Sequence, residues 1–490
     1  MPAARIVKWN DDALYQRFLL RDHADDGKFL TGVLTTGIYC LPSCPAKRPR
    51  RENVRFFHSP DEARHSGLRP CFRCRPDSFY RGEEFHETLF EQTAARARNN
   101  PPAFHGIDDL AKAAGLSRTA LNELFREHAH ESPGTFLRRV RIGFVCQLLE
   151  NGMKPAEAAA SAGYGSASAF HQQFSAHTGL TPAAWSNLER TNCFILRLPK
   201  GYRKREILDF FGRDRESVSE RVRGDGFTKC FEVDGKAIAV DIVFSGGTAV
   251  CSTDRGCCYA AHRAVVRMLG LDSDAASFER QFAQDELLGG LIRCQRGLRI
   301  PLTPEAWEAL GWAIMGQQIS LQAAVGLRRG LIEALGRQHE ASGLRAFPAA
   351  SVLANVDIEF LRKLKFSTSK AEYLLAAARA VANGDAPVDR IRNLSVRHAA
   401  RMLGAIRGVG PWTVQYVFLR GAGFADCLPA GDAGLARGLA GFAGSDGSAE
   451  RPDEDGVKTA LAKFSPFRSL AACHVWASLN NERGETKHDD

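Results

Sequence analysis

Four cysteines near the start of the chain have the spacing of a metal site. Cys40 and Cys44 form one close pair, and Cys71 and Cys74 form a second pair after a longer segment. This arrangement is typical of a tetrahedral, all-cysteine Zn2+ site. Zinc keeps a bound thiol deprotonated, and flanking Lys and Arg residues would attract phosphate, so a ligand sulfur could also be a nucleophile. The spacing alone leaves two interpretations open: a structural zinc ribbon, or a zinc site that also carries out chemistry.

A second group of candidate residues lies in the C-terminal half. Gly408, Val409 and Gly410 fall between two helical runs, where a helix–hairpin–helix turn would offer backbone amides to a DNA phosphate. Asp432 follows in the segment ADCLPAGDAGLARGL. An isolated Asp after Gly is most often a helix N-cap. Taken alone, neither the turn nor the carboxylate identifies a function.

Residues 89–190 have the apolar periodicity of an all-α domain. A helix over 107–116 ends in a Gly–Leu turn, Ser117 stands at an N-cap position, and a long helical stretch precedes a second copy of this pattern. We therefore predict two helix–turn–helix units joined by a long helix, with recognition helices over 117–128 and 166–177. The candidate DNA contacts on these helices are Arg118, Ser168, His171 and Gln172.

The remaining segments differ in the secondary structure that their sequence patterns predict. From Cys193 onwards, short alternating runs separated by DG and GG pairs predict strands, and helical patterns follow after about residue 300. The mixed, loop-rich N-terminal segment is typical of a small domain that needs a metal to fold. We expect a multidomain α+β protein: a four-cysteine zinc domain (1–88), an all-α double helix–turn–helix domain (89–190), a β-rich domain (193–299) and an α-helical domain with the hairpin turn (300–484).

Composition and charge narrow the class of protein. The 65 basic and 56 acidic residues give a net charge of +9, which permits a polyanionic partner. The N-terminus has no signal-peptide core, and no run approaches the ~20 apolar residues of a membrane helix. We therefore expect a cytoplasmic protein without a membrane partner, in which paired cysteines bind metal. Cys251 and the Cys257–Cys258 doublet are not followed by a second close pair. We therefore expect all nine remaining cysteines to be buried structural thiols: Cys146, Cys193, Cys230, Cys251, Cys257, Cys258, Cys294, Cys427 and Cys473.

The segments TTGIYC, PSC, RENVRFF and RPCFRC resemble the N-terminal domain of bacterial adaptive-response (Ada-type) regulators. The resemblance implies one zinc ion on the four cysteines and transfer of a methyl group from a DNA methylphosphotriester to Cys40. The zinc would be both structural and nucleophile-activating, and the phosphodiester is a stable leaving group. Methylation removes one negative charge from the site, so we expect affinity for DNA to rise.

The segment AGYGSASAFHQQFSAHTGLTP resembles the AraC-type transcription-factor domain. The resemblance implies promoter DNA and RNA polymerase as partners, and a nucleoid-associated protein that we expect to be a monomer. Its second recognition helix carries His171, Gln172 and Gln173 where the family often has Arg or Lys. These side chains can read base edges, but they attract phosphate less strongly.

Three segments of the C-terminal half, AIMGQQIS, FSTSKAEYL and LGAIRGVGPWTVQYVFLRG, resemble the AlkA-type glycosylases (3-methyladenine DNA glycosylase II) of the helix–hairpin–helix superfamily. The resemblance implies that Asp432 is the catalytic carboxylate, stabilising oxocarbenium-like charge at C1′ and helping to place the attacking water. It implies DNA contacts from the hairpin turn, Gln317 and Gln318, the last as a polar wedge, and no cofactor for this half. The flipped, cationic base would stack on aromatic side chains, for which the candidates are Trp412, Tyr416, Trp476 and, with a core role equally open, Phe210.

Two further features refine the expected activity. Trp412 stands where bifunctional glycosylase-lyases of the superfamily have a Schiff-base lysine, which predicts a monofunctional enzyme that leaves an intact abasic site. The Pro-Cys-His-Arg motif of methylguanine methyltransferases does not occur, so we expect no direct reversal of guanine O6-methylation.

The leading hypothesis is therefore a fusion of methylation sensor, transcription regulator and alkylpurine glycosylase. Two alternatives remain. One is a DNA-binding methylation sensor and regulator whose glycosylase-like half is inactive. The other is a glycosylase with an inert structural zinc finger.

Overall fold

The computed structural model describes residues 10–82, 85–443 and 450–485. The first nine residues, which bear on the expected absence of a signal peptide, lie outside these ranges. The chain divides into two compact units, Met1–Leu89 and Phe90–Asp490. None of the helices in the described ranges combines the length and apolar character that crossing a bilayer requires.

The N-terminal unit contains a four-stranded sheet in the order β3-β1-β2-β4. Strand β1 pairs antiparallel with β2 and β3, and β2 pairs parallel with β4. The hydrophobic core of this unit is small. It is tightly packed at Gly32, where an added Cβ atom would lie only 2.4 Å from the Phe57 ring. So little apolar burial fits a domain stabilised by a metal. The elements are α1 (Asp11–Leu20), β1 (Leu30–Val33), β2 (Ile38–Cys40), β3 (Val54–Phe57), α2 (Pro60–His65), β4 (Arg69–Pro70) and α3 (Pro76–Tyr80).

Two helix–turn–helix units follow, as predicted. Ser117 and Ser166 are the N-caps of the second helix in each unit, and each hydroxyl accepts a hydrogen bond at 3.3 Å from the amide three residues later. These caps satisfy amides that the first helical turn leaves free, and so fix where each helix begins. The helices are α4 (Phe85–Asn99), α5 (Ile107–Ala114), α6 (Arg118–Ala129), α7 (Pro133–Glu150), α8 (Pro155–Ser161), α9 (Ala167–Thr178) and α10 (Pro182–Ser186).

An antiparallel five-stranded sheet comes next, in the order β5-β9-β8-β7-β6. Its strands alternate, so that Phe194 and Leu196 are buried while Ile195 between them is exposed. Phe174 and Trp185 of the second helix–turn–helix unit belong to the same core as Phe194. The unit and the sheet therefore pack as one body. The elements are β5 (Cys193–Arg197), α11 (Lys204–Phe211), β6 (Glu220–Arg223), β7 (Gly226–Val233), β8 (Lys236–Ser245) and β9 (Thr248–Thr253).

The rest of the described chain is helical. Part of the segment predicted to be β-rich already forms helices, because Ala261, Val265 and Met268 are buried at helical rather than alternating spacing. The predicted helical C-terminal part is confirmed. The helices are α12 (Cys258–Met268), α13 (Ala275–Phe282), α14 (Gly289–Cys294), α15 (Ala306–Gly316), α16 (Leu321–Leu335), α17 (Ala350–Leu353), α18 (Ile358–Lys363), α19 (Thr368–Ala382), α20 (Val396–Gly404), α21 (Pro411–Tyr416), α22 (Ala433–Ala443), α23 (Glu454–Ala462) and α24 (Arg468–Glu485).

Four buried charges join the sheet to the helices. The Arg328 guanidinium on α16 donates to both carboxylate oxygens of Glu220 on β6, at 2.7 and 2.9 Å, and to Glu308 on α15 at 2.6 Å. The Lys229 ammonium on β7 donates to the same two carboxylates at 3.0 Å. Burial alone would raise the pKa of Glu220, but the charges of Arg328 and Lys229 outweigh it and hold the pKa well below its usual range. Both carboxylates are therefore ionised in the folded protein.

We expect Arg328→Met to lower the free energy of unfolding of the second unit by about 3–5 kcal/mol, because it leaves buried carboxylate charge without its main partner. Tryptophan fluorescence during urea denaturation measures this, since all of the six tryptophans except Trp9 lie in that unit. The matched control is Arg362→Met, which removes an exposed cation paired with Glu359 at 3.0 Å and should cost less than about 1 kcal/mol. An equal loss of unfolding free energy in the two variants would contradict the stabilising role of the buried charges.

Candidate functional site

The four cysteines of the N-terminal unit converge on one point. Cys40 is the last residue of β2, Cys44 follows in the next turn, and Cys71 and Cys74 follow β4, which pairs with β2. Their sulfur atoms all lie within 4.8 Å of one another. A tetrahedral zinc ion with Zn–S bonds of about 2.3 Å places its sulfurs roughly 3.8 Å apart. The structure therefore brings the predicted ligands together with the geometry of such a site.

The donor chemistry also fits a zinc ion. Hydrogen bonding among the thiols raises the pKa of Cys40 and Cys74 and lowers the pKa of Cys44 and Cys71, so the metal-free set shares its protons. A divalent cation among the sulfurs is what allows all four to be thiolates. The Leu41 amide donates to the Cys74 sulfur at 3.4 Å, which partly offsets the added negative charge.

A polar network behind the cluster fixes the strand that carries Cys40. The neighbouring Tyr39 side chain is buried, and its hydroxyl donates to Asp77 at the start of α3. Arg64 of α2 donates to the Tyr39 hydroxyl at 3.1 Å and to Asp77 at 2.6 Å. Burial, together with Asp77, raises the pKa of Tyr39 to about 12. The hydroxyl thus stays protonated and keeps β2 tied to both helices.

The surface beside the cluster is basic and contains an aromatic ring. Lys47, Arg69 and Arg75 are exposed, and Phe72, between two ligand cysteines, is 78% exposed. The Arg69 guanidinium lies 5.3 Å from the centre of the Phe72 ring. Such a surface attracts a phosphate backbone and can stack on or pack against nucleotides.

The candidate contacts on the recognition helices lie at the surface. Ser168, His171 and Gln172 are exposed on one face of α9. Arg118 at the start of α6 is also exposed, but its guanidinium donates to both carboxylate oxygens of Asp108 on α5. DNA would have to compete with Asp108 for this guanidinium. The roles of all four residues stay predictions.

Asp432 is held by one of its two carboxylate oxygens. Oδ1 accepts from the Leu435 amide at 3.0 Å, as an N-cap of α22, and from the Trp476 indole at 2.9 Å. Gly434 leaves room for the Asp432 carboxylate beside the Trp476 indole, because a Cβ atom at position 434 would lie 2.8 Å from Oδ1. Within the described ranges, Oδ2 accepts no hydrogen bond. The helix-cap and catalytic interpretations are therefore compatible, because one oxygen anchors the carboxylate and the other has no hydrogen-bond donor among the described residues.

Trp476 is the first ring in a series of contacts that alternates aromatic rings with two arginine guanidiniums. The Arg420 guanidinium lies 5.1 Å from the Trp476 ring centre and 4.9 Å from that of Phe210. The Arg213 guanidinium lies 4.3 Å from the Phe210 ring centre and 4.0 Å from that of Trp312. Arg420 thus connects two of the predicted pocket residues, Phe210 and Trp476, and the sequence analysis did not select this cation.

The other two predicted pocket residues stack on each other. The rings of Trp412 and Tyr416 on α21 have centres 5.3 Å apart and an interplanar angle of 28°. No guanidinium or ammonium lies over either ring among the cation–ring contacts of the described residues. Tyr416 is buried in the core, whereas Trp412 is half-buried, so Trp412 is the ring of this pair that a flat, cationic ligand could reach.

The hairpin turn joins α20 to α21. Gly408 has a φ of +83°, and a Cβ atom there would lie 2.1 Å from the Tyr373 ring, so only glycine fits. Gly410 is the N-cap of α21. The Val409 amide donates to the Ile406 carbonyl at 3.0 Å, and its side chain is buried. Val409 thus anchors the turn, while the flanking glycines leave backbone accessible to a phosphate.

The Gln317–Gln318 turn is fixed from two sides. The Gln317 amide group donates to the Gly408 carbonyl at 2.9 Å and to the Thr413 hydroxyl at 3.0 Å, which ties the turn to the hairpin. The Lys370 ammonium donates to the carbonyls of Met315 and Gln317 at 3.0 and 2.5 Å. Gln318, at a φ of +54°, is thereby exposed at the tip.

Several residues around these sites were missed by the sequence analysis. Ile319 is an exposed apolar residue beside Gln318 and is better suited to wedging between bases. Arg420 could have been found, because a buried Arg inside the apolar run VFLRGAGF needs an explanation. Trp312 and Arg213 are distant in sequence and become neighbours only in the fold, so no local pattern identifies them.

Comparison with known families agrees with this arrangement. Residues 13–77 match the metal-binding domain of Ada, residues 110–187 a helix-turn-helix domain, and residues 312–466 the HhH-GPD superfamily of base excision DNA repair proteins. The chain thus combines the domains of an Ada-type regulator with those of a DNA-repair glycosylase.

Individual proteins show the same combination. A probable bifunctional transcriptional activator/DNA repair enzyme AlkA of Mycobacterium tuberculosis is 27% identical over 95% of this chain and 96% of its own. The DNA-3-methyladenine glycosylase of Bacillus subtilis is 30% identical over 43% of this chain and 69% of its own. The 3-methyladenine DNA glycosylase structure from Archaeoglobus fulgidus shares the fold, with a TM-score of 0.52 and 22% identity over 58% of this chain and 97% of its own. The chain belongs to the HhH-GPD superfamily of base excision DNA repair proteins, and it carries Ada-type zinc-binding and AraC-type helix–turn–helix domains ahead of that part.

Proposed function

We propose that the protein senses DNA methylation, regulates transcription in response, and excises alkylated purines such as 3-methyladenine as a monofunctional DNA glycosylase. The observation that carries the enzymatic part is the Asp432 carboxylate, which is anchored through Oδ1 to Trp476 and α22 while Oδ2 is left for the substrate. The partners we propose are double-stranded DNA and RNA polymerase, with the protein acting as a monomer.

The hairpin and the Gln318 turn prepare the DNA for reaction. The amides near Gly408 and Gly410 bind a backbone phosphate, and the exposed residues at positions 318 and 319 fill the space that the flipped base leaves. Because Gln317 bonds the turn to the hairpin, the two contacts act as one rigid surface. The flipped base stacks on Trp412, whose ring is backed by that of Tyr416.

Asp432 then assists hydrolysis at C1′. As the N-glycosidic bond breaks, its electron pair leaves with the base and neutralises the positive charge of the alkylated ring. The Asp432 carboxylate stabilises the oxocarbenium-like sugar. The attacking water forms the new C1′–O bond and passes its proton to this carboxylate, which releases it to solvent. Trp412 offers no amine for a Schiff base, so the strand keeps an intact abasic site.

Cys40 carries the second proposed reaction. A zinc ion on the four cysteines, when bound, keeps the Cys40 sulfur a thiolate. This sulfur attacks the methyl carbon of a methylphosphotriester, the C–O bond breaks, and the phosphodiester leaves with the electron pair. The basic surface with Lys47, Arg69 and Arg75 holds the DNA backbone beside the cluster. The cluster loses one negative charge, so the protein binds DNA more tightly and the helix–turn–helix units act at promoters.

We expect Asp432→Asn to reduce single-turnover release of 3-methyladenine from alkylated duplex DNA by about 100-fold or more, without weakening binding. Asn can still cap α22 and accept from the Trp476 indole, so the loss comes from the missing charge. The matched control is Asp453→Asn, which makes the same change at the N-cap of α23. If the wild-type protein released no alkylated purine, the alternative of a sensor with an inactive glycosylase half would replace this proposal.

We expect incubation with methylphosphotriester DNA to add one methyl group to Cys40, detected by mass spectrometry with fragmentation that separates Cys40 from Cys44. Cys40→Ser should abolish the uptake, because this residue supplies the attacking thiolate. Cys193→Ser is the control, since Cys193 lies outside the cluster. The prediction that it is buried is wrong for Cys193 and for Cys294, both of which are exposed. Methylation of a different cysteine, or of none, would refute the role of Cys40.

A further inference from the structure

Arg213 lies between two aromatic rings at the edge of the proposed base pocket. Its guanidinium stacks on Phe210, a predicted pocket residue, and on Trp312 of α15. Phe210 is joined through Arg420 to Trp476, which bonds the Asp432 carboxylate. Arg213 therefore belongs to the wall that runs from the reacting carboxylate along the pocket.

The hydrogen-bond donors of Arg213 are not used by the protein. Within the described ranges, its guanidinium makes ring contacts but no hydrogen bond and no ion pair. The nearby carboxylates are already engaged: Asp214 accepts from Arg329 at 2.6 and 3.1 Å, Glu216 also pairs with Arg329, and Glu220 is bound by Arg328. A half-buried cation without a carboxylate partner is costly for stability. A structural role alone does not account for it.

Arg213 is nevertheless held in place. The Arg329 clamp on Asp214 fixes the adjacent backbone against α16, and the two rings restrict the side chain. Burial lowers the pKa of Arg213, yet an arginine remains protonated in proteins. The two rings therefore hold a planar fork of N–H donors in a fixed position. Arg420 differs, because its guanidinium donates to the Pro301 carbonyl at 3.0 Å and is buried.

We propose that Arg213 is a specificity-determining residue that donates hydrogen bonds to an acceptor atom on the flipped base. This inference rests on the proposed glycosylase function and names its preferred substrates: alkylated purines with a carbonyl oxygen at position 6. In 7-methylguanine this position is an acceptor that matches the N–H fork. In 3-methyladenine it is an amino group, whose N–H donors would face those of Arg213.

A comparison of these two lesions separates hydrogen bonding from charge. Both bases are cationic in DNA, so repulsion from the guanidinium acts on both alike. A hydrogen bond to a charged donor favours the keto base alone, and an unpaired donor disfavours the amino base. A site that hydrogen-bonds an acceptor on one base strongly disfavours a base that lacks this acceptor, because the donors of the site are then left unpaired.

The test is the ratio of single-turnover excision rates for 7-methylguanine and 3-methyladenine, each placed in the same duplex, with the full-length protein. We expect Arg213→Met, which keeps bulk between the rings, to lower this ratio about tenfold or more. Arg213→Lys keeps the charge but not the planar fork and should restore the ratio only in part. The matched control is Arg215→Met, an exposed arginine in the same loop, which should leave the ratio unchanged.

The outcomes distinguish this inference from the function it rests on. Equal loss of both rates in Arg213→Met, or an unchanged ratio, would overturn the role of Arg213 while leaving the glycosylase assignment intact. Full restoration by Arg213→Lys would show that the planar fork of donors is not needed and would overturn its role in recognition. Release of neither base by the wild-type protein would overturn both proposals. Melting curves and abasic-DNA binding check that each variant is folded.

Discussion

Four buried charges, on Glu220, Lys229, Glu308 and Arg328, set the position of the five-stranded sheet against the helical part of the second unit. If only hydrophobic side chains met between the sheet and the helices, the two could shift relative to each other. Buried charged side chains do not allow this, because each needs its partner at hydrogen-bond distance. The sheet can therefore pack against the helices in only one relative position. Its residues come from β6, β7, α15 and α16, and Arg329 on α16 extends it to Asp214.

The proposed base pocket depends on that arrangement of charges. Phe210 and Arg213 come from the sheet side of the contact, and Trp312 comes from α15, the helix that also supplies Glu308 and ends at the Gln317 turn. Asp432 is then fixed from α22 and α24. The zinc site is built differently, because a small core and a polar network around Tyr39 leave the metal to complete it. Under the proposed function, one chain holds a rigid site that turns over and a zinc site whose nucleophile is consumed.

Much of this organisation is predictable from the sequence where the signal is local. The N-caps Ser117 and Ser166 mark the recognition helices, and the cysteine pairs locate the metal site. Contacts between distant segments are not predictable in this way. Arg213 and Trp312 have no shared pattern, and the bond from Trp476 to Asp432 spans 44 residues. The helices α12–α14 were missed because strand signals just before them extended the β-rich interpretation too far.

The central claim is that the Asp432 site hydrolyses the N-glycosidic bond without a covalent enzyme–DNA intermediate. Product analysis of a single-turnover reaction on 7-methylguanine duplex DNA, with and without borohydride, tests it most directly. The account predicts free methylated purine and an intact abasic strand in equal amounts, with no protein–DNA adduct. A borohydride-trapped adduct, or spontaneous cleavage of the strand at the abasic site, would contradict it.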